Sequence, residues 1–172
     1  MKPLASKAFA AALALSFAAA SAFAAEPAEP SPELAKEITA SLTKSGGAIF
    51  PIGKENLRNM KNFTGPSFVA PLGGDKEVGV ANVTFGPGVI NRWHVHPSSC
   101  QVLIAESGRG YVQIWGEEPV ELTPGVTFTV PANTKHWHGA APGTWFQHIA
   151  VMRPSKTEWL EPVDPAQYQK LH

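Results

Sequence analysis

Five of the six histidines lie between residues 94 and 148. Four stand in two pairs, each two apart: Trp93-His94-Val95-His96, and Lys135-His136-Trp137-His138. On a β-strand alternate side chains share a face, so His94 and His96 can aim both imidazoles one way with Val95 on the other. Gln101 opens the next apolar run, and His136 begins a later one that can face the same centre. Neutral imidazole is the commonest metal ligand. We therefore expect His94, His96, Gln101 and His136 to hold one divalent transition-metal ion, with Mn, Fe, Ni, Zn and Cu all compatible with that donor set. His138 follows His136 by two and should also face inward, and His148 lies on the following strand. Free imidazole titrates near neutrality, so either could serve as general acid or base, or simply orient a ligand. Val83 and Phe85 alternate onto one face of their run and should wall a substrate pocket, with Leu103, Ala105 and Phe128 on the same interior. Trp93, Trp115, Trp137 and Trp145 flank these motifs and read mainly as core or interface aromatics.

Bringing such residues together requires several strands. From residue 48 onward, short apolar runs alternate with turn signals such as Gly65-Pro66, Gly73-Gly74-Asp75, Gly86-Pro87-Gly88, Pro124-Gly125 and Pro142-Gly143. That texture predicts an all-β sandwich or barrel. Strands are expected near 67–71, 78–85, 90–95, 100–106, 109–115, 119–122, 126–130, 135–140 and 145–151. Ser107-Gly108-Arg109-Gly110 can supply positive φ for a tight hairpin between the fourth and fifth of these. Pro124-Gly125 suits a type II turn. Upstream, Ser31 can cap a helix with Pro32 in its first turn, and Leu34, Ile38 and Leu42 form a narrow apolar stripe ended by Gly46-Gly47. This helical arm (32–45) should pack on the barrel or on a dimer partner. Asp164-Pro165 can cap a short helix ending at Leu171.

The start of the 172-residue chain has a different character. Lys2 and Lys7 precede an apolar run from Ala8 to Ala20, and Ala22-Phe23-Ala24 is a small-x-small site. We read 1–24 as a secretory signal peptide and 25–31 as a Pro-rich linker. The expected location is periplasmic or secreted, with no membrane attachment after cleavage. Lys plus Arg equals Asp plus Glu at 14 each, so no basic surface argues for nucleic acid. Cys100 is the single cysteine, which rules out an internal disulfide. The chain has no phosphate-cradling Gly loop before a helix, no serine nucleophile elbow and no CxxC, which argues against nucleotide, serine-hydrolase and dithiol chemistry.

A lone His-x-His is often incidental. The fuller pattern Gly88-x5-His94-x-His96-x4-Gln101-x6-Gly108, followed by Pro131-x4-His136, is much harder to obtain by chance. In it the chain resembles the cupin superfamily, whose double-stranded β-helix (jelly-roll) barrel carries His, His, Glu or Gln, and a later His on a divalent metal. It looks closer still to single-domain bacterial cupins resembling carboxymuconolactone decarboxylase and to manganese-dependent hydroxynitrile lyase-like cupins. The phrases Asn82-Val-Thr-Phe-Gly-Pro-Gly, Trp93-His-Val-His, Lys135-His-Trp-His-Gly-Ala-Ala-Pro and Glu158-Trp-Leu-Glu-Pro-Val carry that likeness. The resemblance implies one cupin domain over 48–171 with a short N-terminal helix, and a homodimer. It also implies a base at the position of His148 in relatives that cleave cyanohydrins. Those relatives tend to carry a polar amide four residues later, where this chain has Met152.

Two departures bear on the metal. Gln101 replaces the usual acidic ligand, so three imidazoles and an amide would leave a divalent ion its full charge, and such a centre polarises a bound oxygen strongly. The local spacing also admits Cys100 as the ligand instead of Gln101, though Gln101 keeps the register to Gly108. The first functional expectation is a metal-dependent enzyme acting on a small carbonyl or hydroxy compound by lyase-type chemistry, either decarboxylation or C–C cleavage. A metal-dependent oxygenase and a non-catalytic metal- or small-ligand-binding protein are the alternatives.

Overall fold

A computed structural model describes residues 25–171; the expected signal peptide lies outside the described residues. Ser31 caps α1 (Pro32–Thr43), accepting the Leu34 N–H at 3.2 Å. Ile38 and Leu42 are fully buried and pack with Phe68 and Trp145 on the outside of the barrel. The arm is clamped there by polar contacts. Ser107 Oγ donates to the Leu42 carbonyl at 2.8 Å, and the Ile49 N–H donates to Glu106 Oε1 at 2.9 Å.

Each expected strand segment overlaps one observed strand: β2 (Ser67–Gly74), β3 (Gly79–Phe85), β4 (His94–Val95), β5 (Gln101–Gly108), β6 (Gly110–Ile114), β7 (Val120–Leu122), β8 (Thr127–Val130), β9 (His136–Ala140) and β10 (Phe146–Met152). Two short edge strands, β1 (Lys54–Glu55) and β11 (Glu158–Trp159), were not foreseen, because two residues carry no readable alternation. The strands form two antiparallel sheets, ordered β1-β2-β3-β10-β5-β8 and β11-β4-β9-β6-β7. Phe85, Leu103, Val112, Leu122, Val130 and Phe146 fill the space between them. This is the all-β double-stranded β-helix with a short N-terminal helix that the sequence predicts.

The β5–β6 hairpin is corrected. β5 lies between β10 and β8, while β6 lies between β9 and β7, so the two belong to different sheets. Gly108 does take positive φ (78°), but it uses that freedom to carry the chain across between sheets. A Cβ there would sit 1.9 Å from the Trp145 carbonyl oxygen. The expected strand 90–95 is also interrupted: Ile90 and Asn91 make isolated bridges, and regular pairing begins only at His94. At Pro124-Gly125 the expected turn forms, with Gly125 at φ 92° and the Val126 N–H donating to the Thr123 carbonyl.

The outer face of the five-stranded sheet is covered by the C-terminal segment. Leu160, Val163, Tyr168 and Leu171 pack against Ile90, Tyr111 and Trp137. Asp164 caps α2 (Pro165–Tyr168), and Tyr168 Oη donates to the Ala140 carbonyl at 2.9 Å.

Candidate metal centre

His94 and His136 are register partners on the adjacent strands β4 and β9, which sets their rings 4.1 Å apart. His96 follows β4 by one residue, and its ring lies 5.0 Å from that of His94 and 5.4 Å from that of His136. One ligand atom from each of the three lies within 4.8 Å of the others, and all three residues are buried. Gln101, at the start of β5 in the opposite sheet, brings Oε1 to 3.1 Å from His136 Nε2. Cys100, just before β5, is exposed and takes no part in the cavity wall.

The hydrogen bonds of these rings decide where their lone pairs point. His94 Nδ1 is 2.9 Å from the Arg92 carbonyl, and His136 Nδ1 is 2.9 Å from the Thr134 carbonyl. A carbonyl can only accept, so each Nδ1 carries the proton and donates. Each Nε2 is then a lone pair. Gln101 Oε1 is also an acceptor, so His136 Nε2 and Gln101 Oε1 are two acceptors facing each other at 3.1 Å. In this orientation of the amide, the two lone pairs repel unless a cation lies between them. His96 Nε2 is likewise buried without a partner, while its Nδ1 is 3.4 Å from Thr157 Oγ1. Backbone carbonyls that fix the tautomer of ligating histidines are the usual outer support of a metal site. The donor set fits a divalent ion: three imidazole nitrogens, an amide oxygen, and no charge of their own.

Burial keeps these rings neutral, as ligands must be. It holds His136 down to about 4, with the carbonyl of Thr134 opposing and the charge of His96 adding to the shift. His94 is pushed well below the ordinary imidazole value by burial and then by His136. His96 is lowered by burial, with Gln101 opposing.

Beside the centre opens a cavity of about 380 Å³. Val83 and Phe85 line it, together with Ala150 and Met152 from β10 and His94, His96, Gln101 and His138. Leu103, Ala105 and Phe128 do not; they belong to the packed core deeper in the barrel. His138 reaches the cavity wall, with its ring 5.6 Å from those of His94 and Phe85. His148 points into the barrel one step deeper than Ala150, stacked between Phe85 and Phe146 at 5.6 and 5.3 Å, and does not border the cavity. Both its ring nitrogens are buried without partners, and burial holds it down to about 3.

Several cavity residues escaped the sequence reading. Trp159 on β11 pairs with His94 and sets its ring 4.9 Å from the imidazole. Asn91 lines the cavity and bonds His138, and Phe63, Asn59 and Thr157 complete the wall. The phrase Glu158-Trp-Leu-Glu-Pro-Val was a signal for Trp159, but nothing in the sequence says which side chain of a two-residue strand turns inward. The flanking tryptophans turn away from the cavity. Trp93 packs edge-on to Trp115 and Trp137, and the Lys135 ammonium lies 3.2 Å from the Trp115 ring centre. Trp145 belongs to the cluster under α1.

Comparison with known proteins agrees with this fold. Residues 81–146 match the family described as Cupin domain. The (R)-mandelonitrile lyase of Granulicella tundricola is 37% identical over 114 residues, which span 63% of this chain and 86% of that protein. The crystal structure of a cupin-like protein from Thermotoga maritima superposes with a TM-score of 0.66 at 34% identity, covering 72% of this chain and 96% of that one. A Klebsiella pneumoniae protein with a double-stranded β-helix domain shares the fold at 17% identity, with a TM-score of 0.51 over 57% of this chain and 82% of that one. The chain belongs to the cupin superfamily, as a barrel with three histidines positioned for a metal ion.

Proposed function

We propose that this protein is a metal-dependent lyase that cleaves a small hydroxy or carbonyl compound next to its oxygen, with a cyanohydrin as the first candidate substrate. The observation that carries the reading is the meeting of His94, His96 and His136 with the Gln101 amide beside a cavity that also presents Val83, Phe85, Ala150 and Trp159. The likeness to a mandelonitrile lyase at 37% identity supports it. His94, His96, Gln101 and His136 would hold the ion, which supplies a Lewis acid for a substrate oxygen when bound. Val83, Phe85, Ala150 and Trp159 offer apolar surface for the hydrocarbon part of the substrate and exclude water from it. His138 and His148 are the imidazoles available to hold or move the hydroxyl proton. His148 would reach the cavity only by a ring shift past His138, whose ring is 5.0 Å away.

The test is direct. The full chain, stripped and reloaded with Mn, Fe, Ni, Zn or Cu, is incubated anaerobically with racemic mandelonitrile, and aldehyde and cyanide are measured. Turnover with at least one metal, lost in His94→Ala, supports the reading. Turnover that needs oxygen instead supports the oxygenase alternative. No turnover with any metal, although ligands bind, supports a non-catalytic binding protein. One observation favours that last reading: His138 is the single titratable cavity-lining side chain, among the described residues, outside the metal set. We further propose export of the chain by the segment 1–24, and a homodimer. Among the described residues no helix is long and apolar enough to cross a membrane.

A further inference from the structure

The orientation of one buried amide determines what His138 can do. Asn91 is 2% exposed and makes two bonds to the same residue. Its Oδ1 lies 3.0 Å from the His138 backbone nitrogen, and its Nδ2 lies 3.1 Å from His138 Nε2. The first contact removes the ambiguity that usually attends an asparagine amide. A backbone N–H can only donate, so the atom facing it must be the oxygen. The atom facing His138 Nε2 is therefore the NH₂ group, which has no lone pair to offer and must donate. His138 Nε2 accepts, and in a neutral ring the proton must then sit on Nδ1. That Nδ1 is the nitrogen left without a partner in the structure.

We propose that Asn91 is a positioning residue that locks His138 in its Nδ1–H tautomer, so that the free edge of this cavity histidine is a hydrogen-bond donor and not a base. The Nε2 lone pair, the only one the neutral ring has, is occupied by Asn91. The inference rests on the lyase reading for its consequence but not for its content. In that reaction His138 gives a hydrogen bond and takes no proton. The hydroxyl proton must then be received by another group, which separates the roles of the two inner histidines. The adjacent His148, with both ring nitrogens unpartnered, is a group able to receive that proton after a small ring movement.

The experiment is two-bond ¹H–¹⁵N correlation spectroscopy on the ¹⁵N-labelled full chain loaded with zinc, which is diamagnetic. His138 is assigned by its loss in His138→Asn. The expected result is a pyridine-like Nε2 and a pyrrole-like Nδ1. Asn91→Asp keeps an acceptor for the backbone N–H but turns an oxygen toward Nε2, so the two signals should exchange. A pyrrole-like Nε2 in the unmutated chain overturns the proposal, as does an Asn91→Asp spectrum in which His138 is unchanged. The measurement on the unmutated chain stands even if that variant does not fold. If the lyase reading holds, Asn91→Asp also lowers kcat about 100-fold, the usual scale for a misplaced proton, while KM stays within about twofold. The stated tautomer with no turnover in either protein would leave the lock intact and remove the lyase reading.

Discussion

At the scale of single residues, the choice of Gln101 over Cys100 has consequences that can be measured. Gln101 faces His136 across 3.1 Å, whereas Cys100 is exposed. Gln101→Ala should weaken metal binding by at least the about 10- to 100-fold that loss of a ligand's supporting partner costs, and Cys100→Ala should leave metal content unchanged; competition against a chelator reads both. The histidines also set a pH dependence for the metal-free chain. Burial holds folded His136 at about 4 and His148 at about 3, against an ordinary value of 6.5. Above pH 6.5 neither ring costs anything by staying neutral. As pH falls below 6.5 the unfolded chain takes up protons that the folded chain cannot, so stability declines from there down to about 4 for His136 and about 3 for His148. Denaturant midpoints measured between pH 7 and pH 4 should fall steadily; a flat profile would contradict the burial. The clustering of His94, His96 and His136 was legible in the sequence because a strand alternates and His-x-His reports its own face. Asn91 was not, because its value lies in a contact with His138 across a separate segment that no local spacing encodes.

Among the elements, the strands were readable wherever alternation ran for several residues, and the errors fall where it did not. β1 and β11 are two residues long, and only pairing with β2 and β4 makes them strands. The β5–β6 connection misled for another reason. Gly108 gives the same positive φ whether the chain reverses within one sheet or steps to the other, and only the burial of both flanking strands distinguishes the two. Gly108→Ala should therefore destabilise by more than the about 1–3 kcal/mol of a left-handed backbone alone, since its methyl group would strike the Trp145 carbonyl. Thermal unfolding measures it. At α1 the cap is a smaller effect: Ser31→Ala should cost about 1 kcal/mol of arm stability, read as faster amide exchange over Pro32–Thr43 with the barrel unaffected.

For the molecule as a whole, the two sheets press their apolar faces together at one end and separate around the metal ligands at the other. Phe85 lies at the division, belonging both to the core and to the cavity wall. Metal binding should stabilise the whole barrel, because its donors come from both sheets. At a free ion concentration 100 times Kd the gain is about 2.7 kcal/mol. Chelation should lower the melting temperature accordingly, and the difference should vanish in His94→Ala.

The C-terminal tail has a part in this that its distance in sequence hides. β11 lays Trp159 against His94, and the residues after it are held by Lys135 to Glu161, by Leu160 and Val163 against Trp137, and by Tyr168 on Ala140. Shortening the chain before Glu158 would leave every ligand in place yet strip the roof from one of them. A protein trimmed in that way for convenience would still take up metal, but its centre would stand open to bulk water.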